Sequence, residues 1–242
     1  MLIVGLDAAA DLANFGYAIT RLETNVLHRI ESGVLGDESR ISSLAARHLQ
    51  VASQVLISID APLGWPRSLG RALWAHQAGQ SILVPPNQLF RRATDLYIKR
   101  TTGKQSLDIG ADRIARAAWS ALNVLGILRR ELAHPLPMVW EPAFEERFGV
   151  IEVYPAATLA GWGLRSDGYK KKNEQIEARR SIAQFFGERA PWLSELVNES
   201  VDVFDAGLCA IAGGDFLAGR AAGPTDRELA EYESWICVRS SR

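Results

Sequence analysis

Cysteine is scarce, with two in 242 residues, and Cys209 and Cys237 lie far apart and form no CxxC pair. That usage argues against a disulfide framework and suits a reducing compartment, so a cytoplasmic location is expected. Net charge is almost absent, at -1. No global field draws in nucleic acid or an anionic membrane surface, so a polyanion must be met by local patches. Long apolar runs are missing too. None reaches the roughly 18 residues of a membrane span, which excludes a transmembrane segment. No basic leader precedes an apolar stretch and cleavage site, so the start of the chain reads as structure and not as an address. The four histidines, His28, His48, His76 and His134, show no HxH or HExxH spacing, which leaves zinc chemistry without support. There is no G-x-S-x-G elbow. Gly103-Lys104 lacks the upstream glycine of a P-loop, and "GWGLRS" fails the dinucleotide fingerprint.

What is present is ordinary globular composition, 48% hydrophobic and 23% charged, in a chain long enough to bury a core without staples. "LIVGLDAA", "NFGYAIT" and "VLHRIESGVL" read as three successive strands, the first two a hairpin. "DESRISSLAARHLQVASQ" places Ile41, Leu44, Ala45, His48 and Val51 near a 3.6 period, which predicts the first helix with His48 in the core. "VLISIDAPLGWP", stopped by Pro62 and Pro66, predicts a strand returning parallel beside the first. From Arg67 to about Pro137 the chain is helical but interrupted, as an insertion, with its longest helix over Asp112 to Ala133. "GVIEVYP" is a further strand, "NEQIEARRSIAQFF" a helix, and "DVFDAGLCAIAGGDFLAG" a helix of small residues built for close packing. The order βββαβ, insertion, βα predicts one α/β domain over residues 1–242.

The acids fall at matched levels. Asp7 lies five residues after Leu2 and Asp60 five after Val55. If those strands are parallel neighbours, both carboxylates emerge at the carboxyl end of the sheet, where open α/β folds bind ligands. Asp202 and Asp205 share one face of the last helix, so carboxylates from three elements converge, and such a group calls for a hard divalent cation. Read singly, each acid is equally at home as a turn or cap, and Asp202 as an N-cap. Glu152, flanked by apolar residues, either lines the rim of the same site or pairs with Arg91, Arg92 or Lys170. Arg91 and Asp95 at i,i+4 either brace a helix or reach a phosphate. For a polyanion the candidates are Arg91, Arg92, Lys99, Arg100 and Lys104 in "FRRATDLYIKRTTGK" and Lys170, Lys171 and Lys172 in "GYKKK". The tryptophans, Trp119 and Trp162 among them, read as packing residues, while Trp65 is a candidate for base stacking.

"IVGLDAA…NFGYAI", "ISIDAPLGWP", "VIEVYPAATLAGWG…GYKKK" and "DVFDAGLCAIA" together resemble the ribonuclease H-like nucleases of the RuvC resolvase kind. "IDAPLGWP", "FRRATD", "EVYPAATL" and "DxxDAGLCA" are more closely similar to the predicted-nuclease family known as domain of unknown function 429, DUF429. The resemblance spans nearly the whole chain and is weakest over the insertion. It implies an α/β fold with a ribonuclease H-like mixed five-stranded sheet flanked by helices, the insertion following the fourth strand. It implies Mg²⁺ or Mn²⁺ held by Asp7, Asp60 and Asp205, with Asp202 a further ligand or supporting acid, and a nucleic-acid substrate near Arg91, Arg92, Lys104, Lys170 and Glu152. Resolvases pair as homodimers, so a second copy is an implied partner; no membrane is. One departure is Asp60, where resolvases usually carry Glu. The expected activity is phosphodiester hydrolysis by a carboxylate cluster. An actin-like phosphotransferase or nucleotide hydrolase ranks below it, because "DAAADLANFG" lacks the glycine and Ser or Thr pattern after the first Asp. A non-catalytic binding protein that kept the fold is the third reading.

Overall fold

Five strands form the central sheet of the computed structural model, which describes residues 1–110, 112–170 and 175–240. They are β1 (Leu2–Asp7), β2 (Gly16–Glu23), β3 (Val26–Val34), β4 (Val55–Asp60) and β5 (Phe148–Glu152), in the spatial order β3-β2-β1-β4-β5. β2 runs antiparallel to both β1 and β3, whereas β4 runs parallel to β1 and β5 parallel to β4. This is the mixed five-stranded sheet expected, with hairpins at one edge and parallel strands at the other.

The period of two along each strand divides the core between the two faces. Leu2, Val4 and Leu6 of β1, with Val55, Ile57 and Ile59 of β4, face α1 (Glu38–Leu44) and α5 (Asp112–Leu132). Ile3 and Ala18 face the other way, toward α7 (Gln175–Phe185) and α8 (Val201–Leu217). Asp37 caps α1 by accepting the Arg40 amide at 3.1 Å, and the helix continues as a π-helical turn over Ala45–Leu49. Two sequence expectations change here. Val51 falls beyond that turn and is 78% exposed, and His48 is only half-buried because its Nε2 lies 2.9 Å from Glu31.

Between β4 and β5 the chain makes α2 (Arg67–Leu73), α3 (Pro86–Phe90), α4 (Ala93–Thr102) and α5, the helical insertion predicted. Trp119 corrects its reading as a packing residue. It lies on α5 opposite the stripe formed by Ala121, Val124, Leu125 and Leu128, and is 67% exposed. After β5 come α6 (Pro155–Gly161), α7, a 3₁₀ turn over Pro191–Leu196, and α8. The end of the described chain forms a two-stranded ribbon, β6 (Ala221–Ala222) with β7 (Val238–Arg239), around α9 (Arg227–Glu233). Among the described residues, no helix is long and apolar enough to cross a membrane.

Candidate metal centre

Register places the first two acids side by side. In the parallel pairing of β1 with β4, Leu2 stands opposite Val55 and therefore Asp7 opposite Asp60. The third acid arrives on α8, whose start is capped by Ser200, so the alternative reading of Asp202 as the N-cap falls away; the Ser200 hydroxyl accepts the Val203 amide at 3.3 Å. This helix lies on the sheet at backbone contact. A Cβ on Gly5 would come 2.0 Å from the Ala206 carbonyl oxygen and 2.6 Å from the Ala210 nitrogen, so only glycine fits there. That approach carries Asp205, fully buried, to the ends of β1 and β4. One carboxylate oxygen from each of Asp7, Asp60 and Asp205 lies within 4.8 Å of the others.

The charges follow from that crowding. The Asp7 pKa is raised well above the ordinary value by burial, then by Asp205 and Asp60. Asp60 is pushed up to about 7, again chiefly by burial, with Lys170 opposing the rise and Asp205 and Glu152 adding to it. Asp205 is likewise raised by burial, against the pull of Lys170. Lys170 is the one cation inside the group among the described residues, ion-paired with Asp205. Burial works against its ammonium, yet Asp205, Asp60 and Asp7 together hold its pKa above the ordinary lysine value.

The residues present fit a divalent ion. Among the described residues, both carboxylate oxygens of Asp205 are buried without a well-formed hydrogen bond despite the Lys170 pair, and so is the Tyr169 hydroxyl. Hard oxygen donors with unmet acceptor capacity suit Mg²⁺ or Mn²⁺ better than softer ions. Asp202, one turn before Asp205, stands outside the group of three and contributes a smaller rise to Asp7. A cavity of about 340 Å³ opens over the site, and its lining includes Asp7, Asp60, Tyr154 and Lys170, with the paired Arg92 and Glu152 in its wall.

Glu152 resolves the choice left open for it. It takes Arg92 as a bidentate partner, with both oxygens at 2.8 Å and both side chains 2% exposed. Arg92 also binds Asp95, through Nε at 3.1 Å and Nη2 at 3.0 Å, and donates to the Glu233 carbonyl. Two assignments are thereby corrected. Arg92 and Glu152 satisfy each other, so neither is offered to substrate, and Asp95 pairs at i,i+3 with Arg92, not at i,i+4 with Arg91. Geometry explains the exchange: Arg92 is the N-cap of α4, where the Asp95 carboxylate also accepts its backbone amide at 2.8 Å.

The remaining basic candidates stay near the surface. Arg91 pairs with Asp108 at 3.0 Å and Lys104 with Asp167 at 3.2 Å, while Lys99 and Arg100 are exposed. Lys171 and Lys172 lie outside the described residues. Trp65 is 36% exposed. The site neighbours that the sequence reading missed are Tyr169, which is buried, and Tyr154, which is half-buried. For Tyr169 a signal existed, since an aromatic opening the basic run "GYKKK" is suited to carry Lys170 inward. Cys209, one turn beyond Asp205, is fully buried, and burial, followed by Asp60, Asp7 and Asp205, raises its thiol pKa well above normal. Burial and Glu152 do the same for Cys237.

A mixed five-stranded sheet flanked by helices, with three clustered carboxylates at the carboxyl ends of its parallel strands, defines an α/β protein with a candidate metal centre. The chain belongs to the family described as Protein of unknown function (DUF429), which it matches over residues 11–229. No curated protein matches it. Among solved structures it is similar to T. thermophilus RuvC in complex with Holliday junction substrate, at 14% identity and a TM-score of 0.36, with 91% of this chain and 95% of the other covered.

Proposed function

We propose that the protein is a divalent-metal-dependent nuclease that hydrolyses phosphodiester bonds of nucleic acid, with Asp7, Asp60 and Asp205 holding Mg²⁺ or Mn²⁺. The observation that carries this reading is the meeting of three carboxylates from separate elements within 4.8 Å, with Lys170 the one cation among the described residues paired with the buried Asp205. Fixing three like charges this close costs stability that a fold has no reason to bear unless a cation offsets it. A bound ion of this kind supplies Lewis-acid polarisation of a phosphate oxygen and a water of lowered pKa.

The chain's own residues do the rest. Asp202 supports the site by adding negative charge beside Asp7. Lys170, its side chain 51% exposed at the mouth of the cavity, is placed to meet a phosphate oxygen as well as Asp205. Arg91 and Lys104, each held in a partly exposed ion pair, exchange those weak partners for backbone phosphates at little cost. Such contacts position a strand without reading its sequence. Trp65, partly exposed beyond Asp60, offers an aromatic face to an unstacked base.

The test is Mn²⁺ titration by calorimetry and by electron paramagnetic resonance, with end-labelled DNA and RNA assayed in parallel for cleavage. The wild type is expected to bind Mn²⁺, and Asp7→Asn and Asp205→Asn to lose both binding and cleavage while keeping the wild-type circular dichroism. Absence of Mn²⁺ binding at millimolar metal would overturn the proposal.

A further inference from the structure

A second charged cluster lies at the other end of α8. Asp215 is ten residues beyond Asp205, about 15 Å along the helix by its rise per residue, and is 1% exposed. Its Oδ2 accepts the Trp162 indole N–H at 2.7 Å. Its Oδ1 faces three guanidinium groups from three segments, Arg189 at 2.8 Å, Arg239 at 3.2 Å and Arg220 at 3.8 Å. Among the described residues, Asp215 is the sole side-chain or backbone acceptor that these three guanidiniums reach. Arg189 Nε is buried without a partner among the described residues, and its Nη1 meets only Asp215.

Charge counting leaves a surplus. Three guanidiniums face one carboxylate and the carboxyl end of α8, which carries about half a negative charge, so roughly one and a half positive charges remain. The surplus matches a phosphate monoester or inorganic phosphate, which carries about -1.5 to -2 at neutral pH, better than a diester. Planar guanidinium forks also fit tetrahedral oxyanions. A base is not what the cluster is shaped for, because the Trp162 ring is already covered by the Arg239 guanidinium at 3.8 Å. Arg220, with its side chain 38% exposed, opens the cluster to solvent.

We propose that Arg189, Arg220 and Arg239 form a binding site for a dianionic phosphate group, separate from the carboxylate centre and independent of the nuclease reading. The group comes either from free phosphate or from the phosphorylated end of a nucleic acid, and both present the same chemistry.

The experiment titrates the full chain with inorganic phosphate at constant ionic strength, read by calorimetry and by the Trp162 indole N–H resonance. Saturable 1:1 binding that shifts this resonance is expected, weakened about tenfold in Arg220→Gln and less in Arg220→Lys, and unchanged in Arg116→Gln, which alters an exposed arginine on α5. A 5′-phosphorylated oligonucleotide that moves the same resonance more than its 5′-hydroxyl counterpart assigns the group to a nucleic-acid end; equal effects assign it to free phosphate. The proposal fails if phosphate shows no saturable binding up to about 20 mM, if chloride moves the indole equally, or if Arg220→Gln binds phosphate as tightly as Arg116→Gln. Arg220→Lys keeps the test decisive should Arg220→Gln not fold.

Discussion

Gly5 sets the distance between the sheet and the helix that brings in Asp205, so Gly5→Ala is a test of the whole arrangement. The added methyl would sit 2.0 Å from the Ala206 carbonyl oxygen, 2.6 Å from the Ala210 nitrogen and 3.2 Å from the Ala206 carbonyl carbon. All three are backbone atoms, so no side chain can turn aside. Relief to a tolerable contact needs α8 to retreat by roughly 1 Å, which places the variant at the severe end of overpacking, about 3 kcal/mol. Because Asp205 adjoins Ala206, the same retreat pulls its carboxylate from Asp7 and Asp60, and Mn²⁺ affinity is expected to fall by about 10- to 100-fold, the scale seen when the support of a ligand is disturbed. Urea denaturation at constant m-value measures the first effect and Mn²⁺ titration the second. Gly70→Ala is the control: nothing lies within 4 Å of its Cβ position on α2, so it is expected to stabilise by about 0.5–1 kcal/mol. If Gly5→Ala unfolds within about 0.5 kcal/mol of wild type and binds Mn²⁺ normally, the helix is not held by backbone contact and the reasoning is wrong.

The metal-free protein is expected to lose stability as pH rises from about 4 toward 7. Asp60 releases its proton near 4 in the unfolded chain but at about 7 in the fold, so the folded state binds more protons over that window. Asp60→Asn flattens that part of the profile, and urea midpoints across the range that stay parallel for the two proteins would refute it. Glu152→Gln leaves the buried Arg92 with half its carboxylate charge, at an expected cost of about 3 kcal/mol, whereas the paired change Arg92→Met with Glu152→Met costs less; chemical denaturation of both separates a charge effect from a packing effect. Lys170→Met removes the cation that competes for the carboxylates, so Mn²⁺ binding is expected to tighten roughly tenfold while the metal-free melting temperature falls. Weaker Mn²⁺ binding would instead make the lysine a helper of the ion.

The level of Asp7 and Asp60 was legible because both end strands of equal length, and strand register is a matter of counting. Asp205 was legible as one face of a helix, although the close approach that makes it useful depends on Gly5, whose meaning appears only when α8 lies across it. Arg92 was harder. Its pairing with Glu152, sixty residues away, depends on how the insertion folds back, and local spacing favoured Arg91 with Asp95 instead. Trp119 shows the same limit from the opposite side. A helical period identifies an apolar residue but not whether a neighbour covers it, and α5 turns this one outward. Lys170 was legible as a cation on the substrate side, but its pairing with Asp205 was not, because a run of like charges carries no information about which acid on another element it meets.

The two sulfhydryls, both sealed in the interior and both disinclined to ionise, give the molecule an internal clock. Alkylating reagents attack the thiolate, so native Cys209 and Cys237 react only when the chain opens around them. Cys209 sits one helical turn from Asp205, and its modification rate therefore times the opening of the acidic centre itself, without any added dye or label. A divalent ion bound there slows that clock, which makes occupancy readable by mass spectrometry even when no substrate is in hand.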